Sequence, residues 1–359
     1  MKSSFVRLIP ARYLTIFACT IFWLLILSIT LGCCQICFAQ TDTPPNAPPP
    51  PGRLIDLGGY RLHLNCTGQG SPVVVLSAGS GDFSFDWSLV QPKVAKFTRV
   101  CSYDRAGEAW SDLGPRPRTM LQEVFDLHRL LAAAGERGPY VLVGQSLGGM
   151  IGRIFALQFP RDMAGLVLVD SFHEDAQLFM NGKLVRVRTL SKDRQIPAPR
   201  SHVSAADALN PEDREKINGM IKQFEIKPEI DAPYDKLPAD AQKERLWALS
   251  QLNHFAATAD DYLPEEAAKL YAETTAAKVP LGNLPLIVLS RSKDEYPPHV
   301  AEEMSREHKN QQERLAKLSS TGKLLIVPNS GHRIQLDGPY AVISAVQTIV
   351  KKNRKLGML

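Results

Sequence analysis

Beyond residue 52 the chain alternates short apolar runs with stretches of helical periodicity. Val73 to Ser77, Arg99 to Tyr103, Tyr140 to Val143, Leu166 to Asp170, Leu284 to Ser290 and Lys323 to Val327 read as strands buried on both faces, because apolar positions follow one another instead of alternating with polar ones. Helical patterns such as Met120 to Ala134 stand between several of them. Strands alternating with helices predict an α/β fold with a mostly parallel sheet covered on both sides. Ahead of it, Leu54 to Leu57 and Tyr60 to Cys66 flank Gly58-Gly59 and predict a hairpin.

Two stretches break this alternation. Between Ser171 and Asn283 the strand signal disappears, and helical patterns take over at Ala205 to Phe224, Ala239 to Phe255 and Pro264 to Ala277. An insertion of about one hundred residues between two strands reads as a lid over a pocket, the alternative being helices that merely pack on the sheet. At the other end, residues 1–39 join a basic start to an apolar run from Tyr13 to Phe38. This predicts a signal peptide or an N-terminal membrane anchor. Cys37-Phe38-Ala39 favours cleavage and the length of the run favours a retained span, so both stay open. Residues 40–52 are rich in Pro and predict an extended spacer. That leaves 53–359 as the folded domain, with a helical cap at about 171–283.

Composition narrows the partners. With 44% hydrophobic and 22% charged residues the chain of 359 is ordinary for a globular protein. Lys2, Arg7 and Arg12 of the leader account for more than half of the net charge of +5, too weak a surplus in the remainder to argue for nucleic acid. Lys351, Lys352, Arg354 and Lys355 end the last helical pattern, where cations favour the helix dipole. Cys19, Cys33, Cys34 and Cys37 lie in the leader, leaving Cys66 and Cys101 for the exported part. Two cysteines in an oxidising compartment suggest one disulfide.

The chemistry centres on Gly144-Gln145-Ser146-Leu147-Gly148, which follows the run Tyr140 to Val143 and precedes the helical pattern Met150 to Gln158. A strand, a sharp turn and a helix give this G-x-S-x-G its meaning as a nucleophile elbow carrying Ser146. A serine hydroxyl needs a base to take its proton and a third group to orient that base. Of eight histidines, His332 alone follows a predicted strand on the side where Ser146 emerges. The acid is Asp294, after the strand preceding the His332 strand, or Asp170, one strand earlier, with Asp294 placed ahead. Backbone N–H groups of Leu147 and of Ser80, in the loop Ala78-Gly79-Ser80-Gly81, are the expected oxyanion donors. No cluster of His, Cys and acidic residues has metal-ligand spacing, and no glycine loop meets a lysine to cradle phosphate. Neither a metal nor a cofactor is therefore expected.

Together these residues resemble the α/β-hydrolase superfamily, from about Leu54 to Val350. The resemblance implies a mostly parallel eight-stranded sheet with helices on both faces and a helical cap. It also implies that Asp104 and Arg105, in Ser102-Tyr103-Asp104-Arg105-Ala106-Gly107, support the site rather than react. Its second and fourth strands are neighbours, which would place Cys66 beside Cys101. Gln145 stands where His is commonest, and Ser77-Ala78-Gly79 replaces the usual His-Gly. The expected function is a serine hydrolase, carboxylesterase- or lipase-like, acting on a small acyl substrate through an acyl-enzyme. A haloperoxidase-like or C–C bond hydrolase is the alternative within the fold, and a non-catalytic ligand-binding protein or a membrane scaffold the alternative outside it.

Overall fold

Apolar runs become the strands of the computed structural model, which describes residues 47–180, 182–257, 262–355 and 357, but Lys323–Val327, expected to be buried on both faces, is a largely exposed strand at the edge of the sheet. The expected leader and residues 40–46 of the spacer lie outside the described residues. Among the described residues ten strands follow in chain order: β1 Arg53–Asp56, β2 Arg61–Thr67, β3 Val73–Ser77, β4 Val100–Tyr103, β5 Tyr140–Gln145, β6 Met163–Val169, β7 Gln177–Met180, β8 Lys183–Arg186, β9 Leu286–Arg291 and β10 Lys323–Val327. Eight of them form one sheet in the order β1-β2-β4-β3-β5-β6-β9-β10. The β1–β2 and β2–β4 pairs are antiparallel and the others parallel.

Parallel strands covered on both faces send alternate apolar side chains into two separate cores. Val75, Leu142, Leu166 and Leu168 pack with the helices Met120–Ala133 and Leu147–Gln158 on one face. Val74, Leu76, Val141, Val143 and Val167 pack with Pro339–Lys355 on the other. Cys66 and Cys101 face each other across β2 and β4 and are joined by a disulfide.

Between β6 and β9 the chain forms the cap. Its helices include Pro211–Gln223, Ala239–Leu249, Leu252–Ala257 and Leu263–Ala276. The absence of strand signal there was misleading, because β7 and β8 pair as an antiparallel hairpin with Gly182 in the left-handed region at φ 76°. Four-residue strands around a turn are too short to show an alternation of their own. The end of the spacer is also less free than its composition suggests. Trp110 Nε1 donates to Pro48 O at 2.7 Å, and His63 Nε2 meets Pro51 O at 2.5 Å, so residues 48–51 dock on the domain. Among the described residues no helix is long and apolar enough to cross a membrane.

Candidate active site

Ser146 sits where β5 turns into the helix Leu147–Gln158, at φ 50° and ψ −118°. A non-glycine residue held there is strained, and the surroundings must enforce it. Ser146 N donates to Val169 O at 3.1 Å, while Ser146 O accepts from Phe172 N at 2.9 Å and Gly149 N at 3.0 Å. The flanking glycines make the turn sterically possible. A Cβ on Gly144 would lie 2.2 Å from Gly148 O, and one on Gly148 2.3 Å from Ser77 O. Both contacts are far inside any tolerable separation, so the G-x-S-x-G pattern is a packing requirement here.

Asp170 ends β6 with φ 43°, its N–H bonded to Leu289 O at 2.7 Å. Its Oδ2 accepts from His332 Nδ1 at 2.6 Å and from Arg291 Nη1 at 2.6 Å. Its Oδ1 accepts from His308 Nε2 at 2.9 Å and from Arg291 N at 3.1 Å. Burial opposes ionisation, but the hydrogen bonds from His308 and His332 and the charge of Arg291 outweigh it. They hold the carboxyl well below the usual carboxylate range. An ionised, buried carboxylate on Nδ1 fixes the ring of His332 and leaves Nε2 as the nitrogen able to take a proton.

Asp294, placed ahead of Asp170 because it follows the strand preceding the His332 strand, is not the partner of His332. It lies in an exposed turn after β9, and it is Asp170, at the buried end of β6, that meets the imidazole. The neighbouring Glu295 contributes instead by accepting His332 N at 3.0 Å. Ser146, Asp170 and His332 line one cavity of about 320 Å³, together with Phe172, Leu178 and Phe179. Among the described contacts no hydrogen bond joins Ser146 Oγ to His332, a looseness common before substrate orders a site.

The two expected oxyanion donors lie on segments that adjoin Ser146. Leu147 opens a helix, where the first N–H groups have no intrahelical acceptor. Ser80 is exposed on the loop after β3, directly after Gly79, where a Cβ would stand 3.2 Å from Ser146 Cβ. Arg105 secures that loop, donating to Ala78 O at 2.6 Å and Gly79 O at 2.7 Å. Asp104 accepts from Ser84 N at 2.7 Å. Gln145 is fully buried and donates to His332 O at 3.2 Å, tying the base loop to the elbow.

Sequence reasoning did not single out Arg291 or His308. His308 lies in the helix Ala301–Ala316, and nothing local marks a histidine whose carboxylate partner stands 138 residues away. Two other groupings have no open chemistry. Ser84, His63 and Asp104 imitate a triad, but Asp104 and Pro51 occupy both ring nitrogens of His63. Cys66, Cys101 and Glu136 lie close enough for a metal, yet both sulfurs are in the disulfide.

The comparisons with known proteins agree with the fold. A family model described as the alpha/beta hydrolase family matches residues 73–346. The chain is 27% identical over 312 residues to a Hormonema carpetanum protein named probable transporter efuK, covering 83% of this chain and 42% of that one. It is 32% identical over 112 residues to the uncharacterized protein YqjL of Bacillus subtilis, covering 31% and 44% respectively. The chain thus spans less than half the length of these curated relatives. Among solved structures, the meta-cleavage product hydrolase of Pseudomonas fluorescens IP01 superposes with a TM-score of 0.56 at 18% identity, covering 84% of this chain and 98% of that one. A thermophilic esterase from Thermogutta terrifontis gives 0.54 at 21% identity, covering 82% and 94%. Likeness at that level of identity concerns the fold.

Proposed function

Because the chain belongs to the alpha/beta hydrolase family, we propose that it is a serine hydrolase cleaving a carboxylic ester or related acyl substrate through Ser146, His332 and Asp170. The observation that carries this reading is the 2.6 Å contact between His332 Nδ1 and Asp170 Oδ2 at the edge of a cavity that Ser146 also lines. In the reaction, His332 Nε2 takes the proton of Ser146 Oγ as that oxygen attacks the carbonyl carbon. Asp170 stabilises the imidazolium, and the N–H groups of Leu147 and Ser80 meet the oxyanion. The imidazolium then protonates the departing alcohol, leaving an acyl group on Ser146. Water releases that acyl group as the acid by the same steps.

A cavity of about 320 Å³ is near the lower end of the range for small-molecule sites, which supports a compact substrate. The leader 1–39 is proposed to export the domain or tether it to a membrane. The Cys66–Cys101 disulfide supports an oxidising compartment. The test is direct: the wild-type chain should hydrolyse p-nitrophenyl butyrate and react at Ser146 with a fluorophosphonate probe, and Ser146→Ala should lose both. A folded chain that does neither rules the reading out.

A further inference from the structure

Behind the candidate triad, charged groups and a phenol are buried together with no part in the steps above. Asp82, Asp86, Tyr234 and Arg245 are all buried. Asp82 closes the turn of the 79–82 loop, its N–H bonded to Gly79 O at 3.2 Å. Arg245 enters from the cap helix Ala239–Leu249. It donates to Asp86 Oδ2 at 2.6 Å and approaches Asp82 Oδ1 at 3.4 Å. Its guanidinium lies 3.4 Å from the ring centre of Tyr234. The Tyr234 hydroxyl donates to Asp82 Oδ1 and accepts from Nε of Arg333, the residue after His332. Arg333 Nε stands 3.8 Å from Asp82 Oδ2. A second tie runs parallel, from Lys236 to Asp337, whose other oxygen accepts Gly331 N at 2.7 Å.

One hydroxyl of the cap therefore bridges the loop that carries Ser80 and the loop that carries His332, although Asp82 and Arg333 belong to distant parts of the chain. Burying this many charged groups contributes little stability compared with a well-packed apolar cluster. Geometry is what the cluster can set. Oxyanion donors and base must converge on one carbonyl, and a displacement of about 1 Å costs roughly 100-fold in rate. We infer that Tyr234 and Arg245 are positioning residues for hydrolysis: by gripping Asp82 and Arg333, the cap holds the oxyanion loop and His332 at their working separation. This rests on the function proposed above.

Tyr234→Phe in the full chain removes the bridging hydroxyl and keeps the ring under Arg245. The kcat for p-nitrophenyl butyrate should fall roughly 10- to 100-fold with KM within about 3-fold. Fluorophosphonate labelling of Ser146 should slow by a similar factor, and the thermal midpoint should hardly move. Arg333→Met cuts the other arm and should do the same. The double variant should be no slower than the slower single, because both break one bridge. An unchanged kcat in folded Tyr234→Phe, a loss confined to KM, or losses that multiply in the double variant would each overturn the inference. So would failure of both single variants to fold, since the cluster would then serve stability alone. A wild-type chain that neither turns over the ester nor labels removes the proposed function, and this inference with it; an active wild type beside an unaffected Tyr234→Phe removes the inference only.

Discussion

The sheet and the cap treat their functional residues in opposite ways. In the sheet, Ser146 and Asp170 hold positive φ angles of 50° and 43°, next to strands β5 and β6 in which every residue is buried. In the cap, the helix Pro211–Gln223 buries none of its residues, and Leu178, Phe179 and Met180 of the β7–β8 hairpin are 40%, 40% and 43% exposed. Strained backbone persists only where its surroundings over-determine it, and a parallel strand packed on both faces supplies that constraint. The exposed parts of the cap have no such hold, and their side chains can change at small cost. On the function proposed above, bond breaking would belong to the sheet and choice of substrate to the cap. Tyr234 and Arg245, like Leu237, Ala248 and Leu270, are cap residues that are buried nonetheless.

The sharpest way to break this comparison is to attack the sheet at Asp170. Asp170→Asn keeps the shape and removes the charge that stabilises the His332 imidazolium, so kcat for a short ester should fall by roughly 10³- to 10⁴-fold. Asp294→Asn, in the exposed turn, should stay within about 2-fold. Steady-state kinetics on the two variants would reverse the assignment if Asp294 proved the costly one. Next in size is the disulfide between β2 and β4. The disulfide closes a loop of sequence separation 35, and Cys66→Ser with Cys101→Ser should lose about 3–4 kcal/mol of unfolding free energy in a denaturant titration while kcat is retained.

The junction of the two regions should respond to acid. Burial is the main cause lowering His173, in the segment between β6 and β7, to about 4. Since the unfolded chain holds that proton more tightly, stability should fall as pH drops from about 6.5 toward the folded value, by on the order of 3 kcal/mol. His173→Gln should remove that share of the acid sensitivity between pH 7 and pH 4. An identical pH dependence in wild type and variant would place the titrating group elsewhere.

The same division explains what could be read from the sequence. β3 matches the apolar run Val73 to Ser77 because burial on both faces writes itself into consecutive residues, whereas β10 is an apolar run at the edge of the sheet that stays largely exposed. Ser146 and His332 were legible for a related reason, each standing next to such a run. The acid was harder. Asp170 and Asp294 both follow strands, and only the lateral order β6-β9-β10, with Arg291 between Asp170 and His332, shows which carboxylate reaches the ring. His308 and the Tyr234–Arg245 cluster rest entirely on contacts between distant segments, which no local pattern carries. The β7–β8 hairpin was missed because a half-exposed strand pair of four residues each has neither a continuous apolar run nor room for an alternation.

The smallest expected effect tests whether the cap chooses the substrate. Phe179 lines the cavity with Ser146, and its ring stands 4.8 Å from that of His299, so the hairpin wall at this point is two rings thick. Phe179→Ala would open that wall without touching the sheet. Differences of one or two methylenes in an apolar pocket are worth about 1–3 kcal/mol in kcat/KM. The variant should therefore gain roughly 3- to 10-fold for p-nitrophenyl octanoate relative to the acetate ester, whose own value should barely change. A uniform change across chain lengths would mean that the hairpin acts on the shared chemistry rather than on the acyl group. That result would dissolve the division between a reacting sheet and a selecting cap, because removing one exposed aromatic would then have reached Ser146 itself.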